Sequence, residues 1–254
     1  GKEQGDSDKR KEWLHGYSED NTLNYANKKV KVSEFVNRDL IHFSNSDNIR
    51  SIPHMMDGLK PSQRKVLYCC FKRNLTQEIR VAQLAGYVSE HGAYHHGEAS
   101  LQGTIVNMAQ DFVGSNNMNL LEPIGQFGSR IEGGKDAAQP RYIHTALENI
   151  AFQLFDKRDS PLLKNNVDDG MVVEPKYYVP VLPMILINGA SGIGTGWSTE
   201  IPKFNPKDII SNIQRMLQNK PMEPMVPWYK GFTGTIQQIS PTQFTTKGNY
   251  TISG

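Results

Sequence analysis

The chain has 254 residues, 37% of them hydrophobic, and 28 lysines and arginines stand against 26 acids for a net charge of +2. That is enough for one large or two modest globular domains, and it excludes a disordered polyelectrolyte. A total so close to balance does not announce a nucleic-acid partner, so any such footprint has to come from local clustering.

Residues Gly1 to Arg10 are charged and lack apolar periodicity, and they read as a tail. Ser33 opens a helix carrying Phe35, Val36, Leu40, Ile41 and Phe43, which is expected to stop in the polar segment Ser44 to Asn48. Pro61 suits the first turn of the next helix, with Val66, Leu67, Cys70 and Phe71 inside and Arg64, Lys65, Lys72 and Arg73 outside. Between Lys60 and Arg80 six basic residues, Lys60, Arg64 and Lys65 among them, face the single acid Glu78. This is either a DNA-facing patch or an ordinary solvated helix face. Cys69 and Cys70, the only cysteines, are adjacent; they exclude a bridge of normal geometry and a four-cysteine metal site, and they fit a reducing compartment.

Gln77 to Val88 and roughly His96 to Phe112 are two further helices, separated by the Glu90-His91-Gly92 break. Helices joined by a glycine turn and followed by strands suggest a helix-turn-helix with a wing, whose strands are expected at Leu120 to Arg130 and Arg141 to Thr145. Ala146 to Phe155 is an amphipathic helix, and Asp156 to Gly170 a polar linker. The last third is strand-favouring at Val172 to Leu182, Thr233 to Ile239 and Tyr250 to Ile252. Asn205-Pro206-Lys207-Asp208 between them is a strong helix start. The expected fold class is α+β. No N-terminal segment reads as a secretion signal and no apolar run would span a bilayer, so no membrane partner is expected.

The segment Gly133-Gly134-Lys135-Asp136-Ala137-Ala138-Gln139-Pro140-Arg141-Tyr142-Ile143 sets a tyrosine directly after an arginine, behind a glycine-rich loop that bears a lysine. A phenol titrates near ~10 and attacks poorly at neutral pH unless cations and a base favour its anion; Arg141 and Lys135 can supply the charge. Strand alternation sends Arg141 and Ile143 to one face and Tyr142 to the other. A half-buried packing tyrosine is the plain alternative. His95-His96-Gly97-Glu98 begins the third helix, where free N–H groups favour a phosphate. The glycines of 189–196 have the wrong spacing for a dinucleotide loop. Ile193 among them suits an apolar wedge between base steps, with a buried core residue as the alternative. No paired carboxylates stand beside an apolar strand to hold a metal.

Long blocks in one order carry a family resemblance: Arg50-Ser51-Ile52-Pro53, Asp57 to Leu67, Ala93-Tyr94-His95-His96-Gly97-Glu98, Phe112 to Asn117, Gly133 to Tyr142, and Asn188 to Trp197. They resemble the breakage-reunion core of eukaryotic DNA topoisomerase II, from about Lys11 onward. The resemblance implies a lead-in from an upstream metal-binding domain at 1–32, a winged-helix cleavage domain at 33–172 and the start of a β-rich tower at 173–254. It implies that Tyr142 becomes joined to DNA through a 5′-phosphotyrosyl link, that Arg141 and Arg50 stabilise the charged transition state, and that His96 contacts DNA. Lys60, Arg64, Lys65, His95, Lys135 and Ile193 complete the implied DNA-binding set. Mg2+ and ATP are expected in the full-length enzyme outside this chain, double-stranded DNA and a second copy as partners, and the nucleus as location. A non-catalytic winged-helix DNA-binding module is the rival from another class, and a bacterial-type cleavage protein the rival within the superfamily.

Overall fold

The computed structural model describes residues 5–26 and 29–252. Residues 1–4 of the expected tail, positions 27 and 28 of the lead-in and the last two residues lie outside them. The chain divides into two compact units, 1–53 with 191–200 and 54–190 with 201–254.

In the first unit, α1 (Asp6–His15) replaces the expected tail. It buries no residue, which is why no apolar stripe marked it. Its stability comes from its ends, with Asp6 and Asp8 in the first turn and His15 in the last, and from Trp13 Nε1 donating to Asn37 Oδ1 at 3.0 Å. The helix expected from Ser33 is α2 (Val32–Phe35), one π turn (Val36–Leu40) and α3 (Ile41–Ser51). It does not stop in the polar segment. Ser51 Oγ donates to Asp47 Oδ1 at 3.1 Å, and Asn48 Nδ2 donates to the Thr195 carbonyl at 3.1 Å, so residues that favour loops in isolation are used by the helix and its neighbour.

The second unit is built on α4 (Pro61–Arg73), which Gln63 Oε1 caps by accepting the Lys60 N–H at 2.8 Å. After Asn74, in the left-handed region at φ 50°, the chain extends as β1 (Ile79–Arg80) before α5 (Val81–His91) begins. The helix expected from Gln77 starts four residues late because Ile79 and Arg80 pair with Thr145 and His144 of a later strand. Then come α6 (Glu98–Ala109), β2 (His144–Thr145) and α7 (Asn149–Leu154). The expected wing strands shrink to β2 and two isolated bridges, Leu121 to Leu147 and Ile124 to His144. Leu67 of α4, Leu84 of α5, Leu101 and Ile105 of α6, and Leu121 and Ile143 from the wing are fully buried together in one core.

The expected linker contains a 3-10 turn (Lys157–Leu162) and β3 (Asn165–Asp168). A hairpin through Asp169 and Gly170, both at positive φ, joins β3 to β4 (Met171–Pro175). There follow α8 (Met184–Ile187), β5 (Ala190–Ile193), β6 (Ser198–Ile201) and α9 (Pro206–Leu217). Asn205 caps α9 by accepting the Lys207 N–H at 3.0 Å, as its sequence requires. The chain ends in a ribbon of β7 (Thr235–Ser240) and β8 (Gln243–Lys247); the strand expected at Tyr250 to Ile252 is not formed, because Phe244 to Thr246 take that place.

Two basic residues placed outside by the sequence pattern are inside. Arg64 is 4% exposed and grips Asp57, with Nε to Oδ2 at 2.7 Å and Nη2 to Oδ1 at 2.9 Å. Lys65 Nζ donates to Glu174 Oε2 at 2.8 Å and to the Gly92 carbonyl at 2.6 Å. Cys69 and Cys70 are buried free thiols; burial pushes Cys69 up to about 12 and raises Cys70 as well. Alkylation by iodoacetamide at pH 8 should leave both unmodified in the native protein and modify both in denaturant, read by intact mass.

Candidate nucleic-acid interface

Tyr142 stands in a turn. Its N–H donates to the Gln139 carbonyl at 2.9 Å, which closes the turn that Pro140 begins to bend. The start of α5 clamps this turn from outside: the Val81 N–H donates to the Ile143 carbonyl at 3.0 Å and the Ala82 N–H to the Pro140 carbonyl at 3.1 Å. Two donors that a helix leaves unpaired at its start are thereby spent on holding the tyrosine segment. Ile143 is 1% exposed and anchors the turn in the core, while Tyr142 is 67% exposed. The separation of these two side chains expected from alternation holds. The strand itself does not, and Arg141 does not share Ile143's face: its guanidinium lies 4.9 Å from the centre of the Tyr142 ring.

The lysine loop leads into this turn and is stiff. The Ala138 N–H donates to the Gln126 carbonyl and the Gly134 N–H to the Ser129 carbonyl, both at 2.9 Å. The Ser129 N–H donates to Asp136 Oδ1 at 2.8 Å and holds that carboxyl below its usual range. Lys135 is exposed at its outer side. His95 and His96 are exposed just before α6; His95 Nε2 lies 3.3 Å from Asp168 Oδ2, and His96 meets the Tyr94 ring edge-on at 5.6 Å. Lys60 is half-buried at the head of α4. Arg64 and Lys65 are corrected: their charges are committed to Asp57 and Glu174, so neither is free to meet a phosphate. Sequence reasoning passed over Gln110, whose buried carboxamide touches the lysine loop; a single polar residue after an apolar stripe is too common to single out.

The first unit carries Arg50 and Ile193. Arg50 is exposed at the end of α3, with Nη2 3.5 Å from Asp47 Oδ1. The glycines of the nearby hairpin are there for close approach: a Cβ on Gly192 would lie 2.2 Å from the Ser51 carbonyl oxygen, and one on Gly194 would lie 2.1 Å from Asn48 Oδ1. The hairpin therefore seats directly on the helix end that bears Arg50. Ile193 projects from it at 82% exposure, which excludes the buried alternative. Among the described residues no group of three or more His, Cys, Asp or Glu side chains converges to hold a metal ion, and no helix is long and apolar enough to cross a membrane.

Residues 50–254 match the DNA gyrase/topoisomerase IV family model, which describes the breakage-reunion polypeptide of those enzymes, and residues 3–48 match that for the C-terminal associated domain of TOPRIM. DNA topoisomerase 2 of Meyerozyma guilliermondii is 53% identical over 242 residues, which cover 95% of this chain and 17% of the relative. DNA topoisomerase 2 of Saccharomyces cerevisiae is 55% identical over 238 residues, 94% of this chain and 17% of the relative. The chain thus spans about a sixth of the length of these curated relatives. The crystal structure of the Plasmodium falciparum topoisomerase II DNA-binding, cleavage and re-ligation domain matches with a TM-score of 0.87 at 53% identity, covering 96% of this chain and 33% of that one. With the tyrosine turn, the lysine loop and the paired histidines all inside the matched span, the chain belongs to the DNA gyrase/topoisomerase IV family, in its eukaryotic type II form.

Proposed function

We propose that this chain is the DNA-binding and cleavage core of an ATP-dependent type II DNA topoisomerase. The observation that carries the reading is the exposed Tyr142, held in a clamped turn with the Arg141 guanidinium against its ring. In this reading the phenolic oxygen attacks a phosphorus of double-stranded DNA, the bond from phosphorus to the 3′-oxygen breaks, and a 5′-phosphotyrosyl link and a free 3′-hydroxyl result. The phenolic proton goes to water and one returns to the 3′-oxygen. The new ester keeps the energy of the old one, so the 3′-hydroxyl re-forms the strand by the reverse step.

Arg141 and Arg50 offset charge on the phosphoryl oxygens, His96, His95, Lys60 and Lys135 hold the strand, and Ile193 wedges the bases apart. Arg64 and Lys65 act only by fixing α4. The residues of this chain do not make a metal cage, so no step here runs through a metal. Mg2+ and ATP belong, in this reading, to parts of the full-length enzyme outside the chain. The working protein is a homodimer in the nucleus that cuts both strands with a stagger. Residues 1–32 lead in from a metal-binding domain, 33–172 form the winged-helix domain, and 173–254 begin the tower; the match of 3–48 to the TOPRIM-associated family model supports the first of these.

To test this, the full-length parent is incubated with plasmid and magnesium, denatured, digested, and the DNA-linked peptide mapped by mass spectrometry. The link is expected on Tyr142. A link on any other residue sinks the assignment, and no DNA-linked peptide at all favours the non-catalytic winged-helix module.

A further inference from the structure

We propose that Gln110 is a positioning residue for the DNA reaction: its buried carboxamide pins the lysine loop, so that Lys135 meets a strand phosphate without first having to be ordered. This rests on the reading of Tyr142 given above. Gln110 directly follows α6, the helix that the paired histidines precede, and is 7% exposed. Its backbone is fixed from both sides, the N–H donating to the Val106 carbonyl at 3.1 Å and the carbonyl accepting Asn116 Nδ2 at 2.9 Å. Its Nε2 donates to the Phe127 carbonyl at 2.9 Å and reaches the Gly134 carbonyl at 3.5 Å, one on each limb of the loop.

The loop is shaped to receive that amide. Gly134 has φ 83°, and a Cβ there would lie 2.4 Å from Gln110 Nε2; Gly128 has φ 99°, and a Cβ there would lie 2.5 Å from the Gly134 Cα. Only two glycines let the limbs close on one another and on the carboxamide at once. Lys135, the residue after Gly134, is exposed and enters no ion pair among the described residues. A free cation on a loop already fixed by a buried donor loses little freedom when a phosphate arrives, and what is not lost in ordering remains for holding the strand in line.

The test uses the full-length enzyme and two variants that keep the volume of the side chain: Gln110→Met, which removes the donor, and Gln110→Glu, which faces two carbonyl oxygens with an acceptor. Hydrogen exchange at the amides of 129–135 is expected to speed up about tenfold or more while α4 is unchanged. The rate of covalent DNA formation is expected to fall about tenfold with the half-saturating DNA concentration moved less than about threefold. Lys135→Ala, which slows the parent, is expected to cost nothing further on the Gln110→Met background, an interaction that general destabilisation does not produce. If neither Gln110 variant folds, Gly134→Ala opens the same contact from the loop side and carries the same expectations. A loop that exchanges as slowly as in the parent, a loosened loop with parental cleavage, or additive losses would each overturn the proposal. Should Tyr142→Phe still link DNA, the tyrosine assignment fails separately, and the exchange result decides whether Gln110 pins the loop.

Discussion

Replacing Tyr142 with phenylalanine in the full-length enzyme lowers covalent DNA capture by roughly ten-thousandfold or more, while non-covalent DNA binding stays within about twofold. The size follows from chemistry: the substitution deletes the attacking oxygen and offers nothing in its place. The selectivity follows from the structure. The turn is held by backbone groups of Gln139, Pro140, Val81, Ala82 and Ile143, none of which involves the phenol, and the side chain is largely in solvent. The aromatic face against Arg141 also survives. Gel capture of DNA after denaturation reads the first quantity and fluorescence anisotropy the second. Capture at a tenth of the parental level would mean that another group performs the attack.

The largest loss of stability comes from Asp57→Ala, about 3–5 kcal/mol, or a fall in midpoint of the order of 10 °C or more for a chain of this size. Asp57 is fully buried and accepts four hydrogen bonds: two from Arg64, one from the Leu59 N–H at 3.0 Å and one from the Tyr178 N–H at 2.9 Å. Truncation strands a guanidinium in the interior and leaves both N–H groups without an acceptor. Arg64→Met removes the other charge but leaves Asp57 its two backbone donors, so it should cost less than Asp57→Ala. Urea denaturation followed by circular dichroism measures both, and the reverse order would mean that the guanidinium has access to water.

This ion pair also marks the limit of what sequence pattern could give. On a helical wheel an arginine goes to the outside by polarity, and nothing in Pro61 to Arg73 says that an acid seven residues upstream from Arg64 will meet it. Where a rule is local and chemical, the expectation held: Asn205 and Pro206 start α9, Pro61 opens α4, and Leu101, Ile105 and Ala109 turn inward from α6. Where the deciding partner is distant, it failed. Asn48 continues a helix because Thr195 accepts its amide, and Ile79 and Arg80 stay extended because β2 pairs with them. The site shows the same division. The segment from Gly133 to Tyr142 announced itself by composition and resemblance, whereas the clamp by α5 and the grip of Gln110 are made by backbone carbonyls, which every residue possesses.

The π turn at Val36–Leu40 inserts one residue more than an α turn would hold, between the start of its helix and the end that carries Arg50. Each residue of an α-helix advances about 100° around the axis. Excising a single residue there would leave a regular helix of nearly the same length, yet every side chain after it would point about 100° away from its present bearing. Arg50 would then face a different compass direction, and the helix end on which the Gly192 hairpin rests would present other atoms to it.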